Sequence, residues 1–166
     1  MKKMIMMFLM MVGVMAHASS ADYNVRDYGA KGDGKTLDHQ AINAAIDSCV
    51  AHGGGRVVVP AGTYLCGSIR MKSHVELHLS AGAKILAAPA SMKAYDEAES
   101  WEGPAYQDGG HTYFKNSLIY AIGQEYVSIT GRGMIDGQGL TKKDTEKGGV
   151  VNGGNIGTGD KAIAFK

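Results

Sequence analysis

The chain has 166 residues, 45% of them apolar, and its 17 basic and 16 acidic side chains give a formal net charge of +1. Binding to nucleic acid requires a strong basic excess, so the near-neutral charge argues against a nucleic-acid partner. The length is sufficient for one domain of modest size.

Residues 1–18 have the pattern of a secretory signal peptide. Two lysines precede an apolar run at 4–14, and Ala16-His17-Ala18 forms a small-x-small cleavage site. The apolar run is shorter than the roughly 20 residues that a membrane-spanning helix needs. We expect cleavage after Ala18 or Ala21 and export to the periplasm or the extracellular space, with no membrane association afterwards. An uncleaved membrane anchor is the alternative.

A single amphipathic helix is predicted over residues 38–51. Thr36 or Asp38 can cap its N-terminus, and Gly53 can adopt the left-handed conformation that ends a helix. A short polar strand at 24–28 and a Gly/Asp turn precede it, and a second turn is predicted around Tyr64. The apolar stripe of this helix has the spacing i, i+3, i+4, i+7, i+8 and consists of Ile42, Ala45, Ile46, Cys49 and Val50.

After the helix, short apolar segments separated by glycine turns predict a series of strands. Two stretches resemble one another, HVELHLSAGAKI at 74–85 and YVSITGRGMI at 126–135, which is typical of the coils of a solenoid. One helix followed by many short strands predicts a parallel β-helix whose N-terminal end is capped by the helix. The predicted strands lie at 57–59, 68–71, 75–79, 84–86, 117–121, 127–130, 133–136 and 162–165.

The predicted domain spans 22–166 and is the N-terminal portion of a single β-helix. The last strand is apolar and no polar cap follows it, so we expect a truncated C-terminal end. Two long insertions, at 88–115 and 137–159, interrupt the coils. Insertions in a solenoid usually leave from one face and often form the binding face.

Residues 29–36, GAKGDGKT, match the phosphate-loop pattern G-x-x-x-x-G-K-[ST]. We reject a nucleotide site because a phosphate loop follows a buried apolar strand, whereas the preceding segment here is polar. Nucleotide triphosphates are also scarce outside the cytoplasm. We therefore expect tight glycine turns and no cofactor.

Two pairs of residues have the chemistry to form cross-links or metal sites. Cys49 and Cys66 can pair in an exported protein, but two buried thiols are the favoured interpretation. His74 and His78 are predicted to share the outward face of a strand. Because no third ligand lies at a suitable spacing, we expect a solvated surface and no metal.

Four blocks of sequence together resemble the N-terminal part of glycoside hydrolase family 28, the polygalacturonases and their relatives in the pectate-lyase-like superfamily. The blocks are DYGAKGDGKT, AINAAIDSC, GGGRVVVPAGTYLCGSIRMKSHVELHLSAGAKI and VSITGRGMIDGQG, between residues 23 and 139. The resemblance implies an all-β, right-handed parallel β-helix. It also implies inverting hydrolysis of α-linked galacturonic acid, a polysaccharide substrate, and a monomer when the protein is full length.

The catalytic motifs of that family do not occur in this chain. Its general acid and base are aspartates in Asn-x-Asp and Asp-Asp motifs, held about 6.5–9.5 Å apart for inversion, and the chain contains neither motif. His-Gly occurs only at the helix end, at His52, and Arg-x-Lys only at Arg70–Lys72, far before the family's position. We therefore assign no catalytic, cofactor-binding or metal residue and expect the chain alone to be inactive.

Three further groups of residues are candidates for a carbohydrate site. Asp136 lies at a family position and is interpreted as a turn residue rather than an active carboxylate. The aromatic residues Tyr106, Tyr113 and Phe114 can stack on sugar rings or pack within the insertion. A solvated loop, rather than a saccharide site, is predicted for the acids beside Trp101, which are Asp96, Glu97, Glu99 and Glu102.

Two other functions fit the same fold. One is a non-catalytic β-helix that binds carbohydrate, and the other is a polysaccharide lyase that uses calcium and a basic residue for β-elimination. The fold alone does not decide among them.

Overall fold

The computed structural model describes residues 21–99, 114–137 and 161–166, together with the backbone of 150–151 and 154–155. The predicted signal peptide lies outside the described residues. Trp101, Glu102, Tyr106 and Tyr113 lie outside them as well.

The described chain winds through four successive coils. The first coil contains strand β1 (Asp22–Asn24), a 3₁₀ turn (Val25–Tyr28), β2 (Asp33–Leu37) and helix α1 (His39–Ala51). The second contains β3 (Gly55–Val59), β4 (Gly62–Cys66) and β5 (Ile69–Arg70). The third contains β6 (Val75–Leu79), β7 (Ala83–Ala87), a 3₁₀ turn (Ala90–Met92) and β8 (Ile119–Ala121). The fourth contains β9 (Ser128–Gly131), β10 (Met134–Asp136), the paired β11 (Val150–Val151) and β12 (Gly154–Asn155), and β13 (Ile163–Phe165).

Strands of successive coils stack into three parallel sheets. Sheet A has the order β1-β3-β6-β9, sheet B the order β2-β4-β7-β10, and sheet C the order β5-β8-β13. The fold is therefore the predicted right-handed parallel β-helix, with the predicted helix in its first coil. The two similar stretches are stacked in register, with Leu77 opposite Ile129 and Ile85 opposite Ile135.

The core is a column of inward-facing side chains contributed by every second strand residue. In β6 and β7 the buried positions alternate strictly with partly exposed ones. Each coil buries its apolar residues against the coils above and below it, which is how a solenoid builds one continuous core. Within the described residues, no helix has the length and apolar character needed to cross a membrane.

Helix α1 confirms the predicted apolar stripe except at Val50. Four stripe residues are fully buried, but Val50 is 37% exposed at the edge of the packed face. Gly53 is left-handed as predicted, with φ of 93°. The N–H of Gly53 donates to the carbonyl of Val50, and the N–H of Gly54 donates to that of Cys49. This pair of bonds is the Schellman ending of a helix.

Of the two candidates for the N-terminal cap of α1, Asp38 occupies the cap position and Thr36 does not. The side chain of Asp38 makes no capping bond to the helix, however. Its carboxylate instead accepts the N–H groups of Lys31 and Gly32 at 2.7 and 2.9 Å. The hydroxyl of Thr36 donates to Asp33 at 2.9 Å.

Several local predictions near the N-terminal end are also wrong. Tyr64 lies inside β4 and is fully buried, where a turn was predicted. Residues 33–37 form a strand instead of a turn, and most of the predicted strand at 24–28 is a 3₁₀ turn. Neighbouring coils supply backbone partners that local propensity does not reveal: the N–H of Thr63, for example, donates to the carbonyl of Gly32.

Candidate functional site

Both long insertions leave the solenoid at the corner between sheets B and C. In the third coil the chain leaves after Ala87 and returns at Ile119, and in the fourth it leaves after Asp136 and returns at Ile163. In the second coil only Gly67 and Ser68 lie between β4 and β5 at this corner. The expectation that the insertions leave from one side is therefore confirmed, and the corner that they leave from borders sheet C.

Ser68 anchors the start of the first insertion to the second coil. Its N–H donates to the carbonyl of Ala94 at 3.3 Å, and its hydroxyl accepts the N–H of Asp96 at 3.0 Å. The same hydroxyl lies 3.1 and 2.9 Å from the carbonyl oxygens of Lys115 and Ser117. Ser68 is almost fully buried, so these bonds are shielded from water and hold both ends of the insertion at one point.

Asn43 connects helix α1 to the same corner. Its amide nitrogen donates to the carbonyl of Ser68 at 3.0 Å, and its amide oxygen accepts the N–H of Arg70 at 2.8 Å. The side chain is buried. The helix therefore fixes the backbone on both sides of Ile69 through one residue.

Arg70, Asp96 and Tyr120 form a hydrogen-bonded cluster on the outward side of sheet C. The Nε and Nη2 atoms of Arg70 donate to the two carboxylate oxygens of Asp96 at 2.7 and 2.6 Å. The hydroxyl of Tyr120 donates to the same carboxylate at 2.7 Å. Arg70 and Tyr120 are register partners in β5 and β8. Sheet pairing thus places the donors side by side, and the insertion supplies the acceptor.

The protonation states of this cluster follow from its bonds. Burial alone would raise the pKa of Asp96, but the hydrogen bonds from Arg70 and Tyr120 outweigh it and hold the pKa below its ordinary value. Burial and the bond to Asp96 raise the pKa of Tyr120 to about 12. Asp96 is therefore ionised and Tyr120 protonated near neutral pH, so Asp96 is poorly suited to act as a general acid.

The prediction of a solvated acidic loop is wrong for two of its members. Asp96 is bonded to Arg70 and Tyr120, and Glu99 accepts the backbone N–H groups of Phe114 and Lys115 at 3.0 and 3.2 Å. Asp96 therefore holds the insertion against the solenoid, and Glu99 joins two segments of the insertion to each other. Glu97 is exposed, as predicted.

His39 lies close to this cluster at the start of α1. It is 8% exposed, and its Nδ1 atom has no hydrogen-bond partner in the described part of the chain. Burial is the main cause that lowers the pKa of His39, and the positive charge of Arg70 lowers it further, against an opposing effect of Asp96. The imidazole is therefore neutral near pH 7.

The other sequence motifs are distributed elsewhere. Lys72 is paired with Asp47 of α1 at 2.6 Å, so Arg70 and Lys72 have separate partners. Asp136 lies in β10 and is paired with Lys84 at 3.2 Å, which makes the prediction of a turn residue wrong. Phe114 is partly buried, with the ammonium groups of Lys161 and Lys166 at 5.7 and 5.4 Å from its ring centre.

The two histidines do not share a strand face as predicted. His74 precedes β6 in a left-handed turn with φ of 63°, and its ring stacks on Tyr126 at 5.1 Å. His78 lies in β6 and its Nδ1 atom is 2.9 Å from the hydroxyl of Thr130. Among the described residues, no group of three potential metal ligands comes together.

The cysteines and the glycine-rich loop have structural roles. Cys49 and Cys66 are fully buried free thiols, as the favoured interpretation predicted, and burial raises the pKa of each. In the loop, Asp33 accepts the N–H groups of Thr36 and Lys35, which lowers its pKa to about 2. Backbone donors that would face a phosphate are therefore bonded to Asp33 and Asp38, which supports the rejection of a nucleotide site.

The sequence did not indicate the cluster of Arg70, Asp96 and Tyr120. Asp96 is 26 residues from Arg70 and lies in an insertion of irregular structure. The available signal was the alternation in β5 and β8, which places Arg70 and Tyr120 outward beside buried isoleucines.

This solenoid, with its capping helix and with two insertions that leave from one corner, belongs to a known family. Residues 23–148 match the family described as rhamnogalacturonase A/epimerase, pectate lyase-like, and the chain is a member of it. The resemblance to polygalacturonases is also confirmed. An exo-poly-α-D-galacturonosidase of Dickeya chrysanthemi is 35% identical over 137 residues, which cover 78% of this chain and 21% of that protein.

Two further comparisons extend this result. The structure of a family 28 exopolygalacturonase of Yersinia enterocolitica superposes with a TM-score of 0.59 at 37% identity, covering 81% of this chain and 24% of that one. A mannuronan C5-epimerase of Azotobacter vinelandii is 47% identical over 64 residues, covering 34% of this chain and 6% of the epimerase. The chain thus spans about a fifth to a quarter of the exopolygalacturonase relatives.

Proposed function

We propose that this chain forms the N-terminal coils of an exported glycosidase that hydrolyses the O-glycosidic bonds of pectin-type polysaccharide with inversion. The observation that carries the proposal is the likeness to exopolygalacturonases, which extends over most of the chain. A likeness of fold alone would not indicate the reaction. Here sequence identity accompanies the fold.

We further propose that the catalytic carboxylates are not among the residues of this chain. Inverting hydrolysis requires two carboxyl groups about 6.5–9.5 Å apart, one protonated and one ionised. Asp96 has a lowered pKa and is held by Arg70 and Tyr120, and Asp136 is paired with Lys84. Both carboxylates are committed to the scaffold. The role proposed for this chain is to cap the solenoid and to position the insertion beside sheet C.

A chimeric enzyme tests the proposal. Residues 22–166 of this chain would replace the matching N-terminal coils of the Yersinia exopolygalacturonase, and release of reducing sugar from polygalacturonate would be measured. We expect a folded chimera to hydrolyse the polymer. The matched control is the same chimera with Gly131→Val, since a β-carbon at Gly131 would stand 2.0 Å from the carbonyl oxygen of Leu79 and disturb the stacking of coils. A chimera that folds, shown by circular dichroism, but leaves polygalacturonate intact would contradict the proposal.

Export is proposed from the pattern of residues 1–18. Expression of the full chain with its N-terminus in a Gram-negative host, followed by fractionation and N-terminal sequencing, tests it. We expect periplasmic or secreted protein that begins at Ser19 or Asp22. Full-length protein that remains in the membrane fraction would favour the uncleaved anchor instead.

A second candidate function is the epimerisation of a polyuronate. The observation that favours it is the likeness to mannuronan C5-epimerase, but this covers only 34% of the chain. Hydrolase and epimerase relatives share substrates that are polymers of uronic acids. The two candidate functions differ in the sugar of the substrate. A comparison of binding to galacturonate and mannuronate oligomers therefore distinguishes them.

A further inference from the structure

We propose that the outward face of sheet C carries a binding subsite for the carboxylate of a uronic acid residue, with Arg70 as the principal donor. The identity of the ligand as a polyuronate rests on the proposed function. The position and chemistry of the subsite rest on the side chains of β5, β8 and the first insertion.

The location is favourable for a polysaccharide. Arg70 and Tyr120 are adjacent in register, and both project outward because Ile69 and Ile119 beside them are fully buried. The corner from which both insertions leave borders this sheet. A sheet surface bordered by long insertions is where solenoids commonly bind extended ligands.

Arg70 is held in place but remains accessible. Two of its nitrogens are bonded to Asp96, whereas Nη1 has no acceptor among the described residues, and the side chain is 55% exposed. The hydrogen bond to Asp96 is the main cause that raises the pKa of Arg70, so the guanidinium is always charged. A planar guanidinium that is already ordered binds a second carboxylate with little further loss of side-chain entropy.

Asp96 limits the affinity of this subsite. Its negative charge partly cancels that of Arg70, so the subsite would orient one sugar of a polymer without binding a single sugar tightly.

Isothermal titration of trigalacturonate into the purified full chain tests the proposal. We expect binding of trigalacturonate and at least about tenfold weaker binding of neutral galactotriose, because a charge-assisted hydrogen bond is lost. Arg70→Gln should weaken trigalacturonate binding about tenfold. Arg132→Gln makes the same change of charge at an exposed arginine outside this cluster and should leave binding unchanged.

A second variant separates binding from a purely structural role. Asp96→Asn removes the competing carboxylate but keeps the guanidinium and a side chain of the same shape. We expect trigalacturonate to bind this variant as tightly as the wild type or more tightly. If Arg70 only anchors the insertion, Asp96→Asn would instead weaken binding as much as Arg70→Gln does, which would overturn the proposal.

An NMR titration of the wild-type chain tests the subsite even when Arg70→Gln does not fold. Titration of ¹⁵N-labelled chain with trigalacturonate should shift the Nε–H resonance of Arg70 and the amides of β5 and β8. Shifts confined to sheets A and B, or equal binding of galactotriose, would overturn the subsite. Preference for trimannuronate over trigalacturonate would support a uronate subsite while contradicting the pectin-type substrate, so the two proposals can fail separately.

Discussion

Gly67 lies directly beneath the carbonyl group of Ala94, so closely that a β-carbon on Gly67 would stand 1.8 Å from the Ala94 oxygen. The contact joins the turn between β4 and β5 to the first insertion. Only glycine allows the insertion to lie flat on the second coil, and the bonds of Ser68 and Asp96 depend on that approach.

Gly67→Ala should therefore destabilise the chain. Overpacking of this kind costs about 1–3 kcal/mol in the free energy of unfolding, which urea denaturation followed by circular dichroism would measure. Gly137→Ala is the control, because a β-carbon there would meet no atom within 4 Å. Equal denaturation midpoints for the two variants would show that the insertion does not press on Gly67.

Asn43→Ala should lower the free energy of unfolding. It leaves the carbonyl of Ser68 and the N–H of Arg70 without their partner, and each unsatisfied buried group costs about 1–3 kcal/mol. Gln40→Ala, on the exposed side of the same helix, should change the unfolding free energy by less than about 0.5 kcal/mol. A loss of stability at Asn43 no larger than at Gln40 would contradict the bridging role.

His39 should make the stability of the chain depend on pH. The unfolded chain takes up a proton on this histidine near pH 6.5, whereas burial lowers the pKa in the folded state. The unfolded state therefore binds more protons, and stability is complete above about pH 6.5 and declines as the pH falls below it. His39→Gln should decline less over that range. Identical pH profiles for the variant and the wild type would show that His39 is not responsible.

The two thiols should be unreactive in the folded chain. Both are buried and their pKa values are raised, and only the thiolate of an accessible cysteine reacts readily. A thiol reagent should modify neither cysteine in native buffer and both in denaturant, as counted by mass spectrometry. Rapid modification of Cys66 in native buffer would contradict the packing of β4.

The sequence predicted those parts of the fold that repeat. The alternation of apolar residues in β6 and the helical spacing of apolar residues in α1 both arise from burial against a neighbouring coil. The buried faces of these two elements can therefore be predicted from the sequence. Val50 was misassigned because the periodic stripe is wider than the surface that covers it. Tyr64 and residues 33–37 were misassigned because their partners come from other coils, and glycine and aspartate suggest a turn when read locally.

The candidate site was harder to predict than the fold. In the sequence, Arg70 stands out only as part of an Arg-x-Lys motif. In the structure, Arg70 and Lys72 have separate partners, so this motif does not act as a unit. The acids near Trp101 were interpreted from composition, yet Asp96 and Glu99 are specified by tertiary contacts. An irregular insertion has no periodicity from which such contacts can be inferred.

One measurement tests the central claim most directly: the release of reducing ends from polygalacturonate by the purified 166-residue chain, at a concentration of substrate where binding is detectable. The account predicts that the chain binds the polymer through sheet C and releases no reducing ends above a control without protein. Sustained hydrolysis by the chain would contradict it, because a general acid and a general base would then have to lie within this chain.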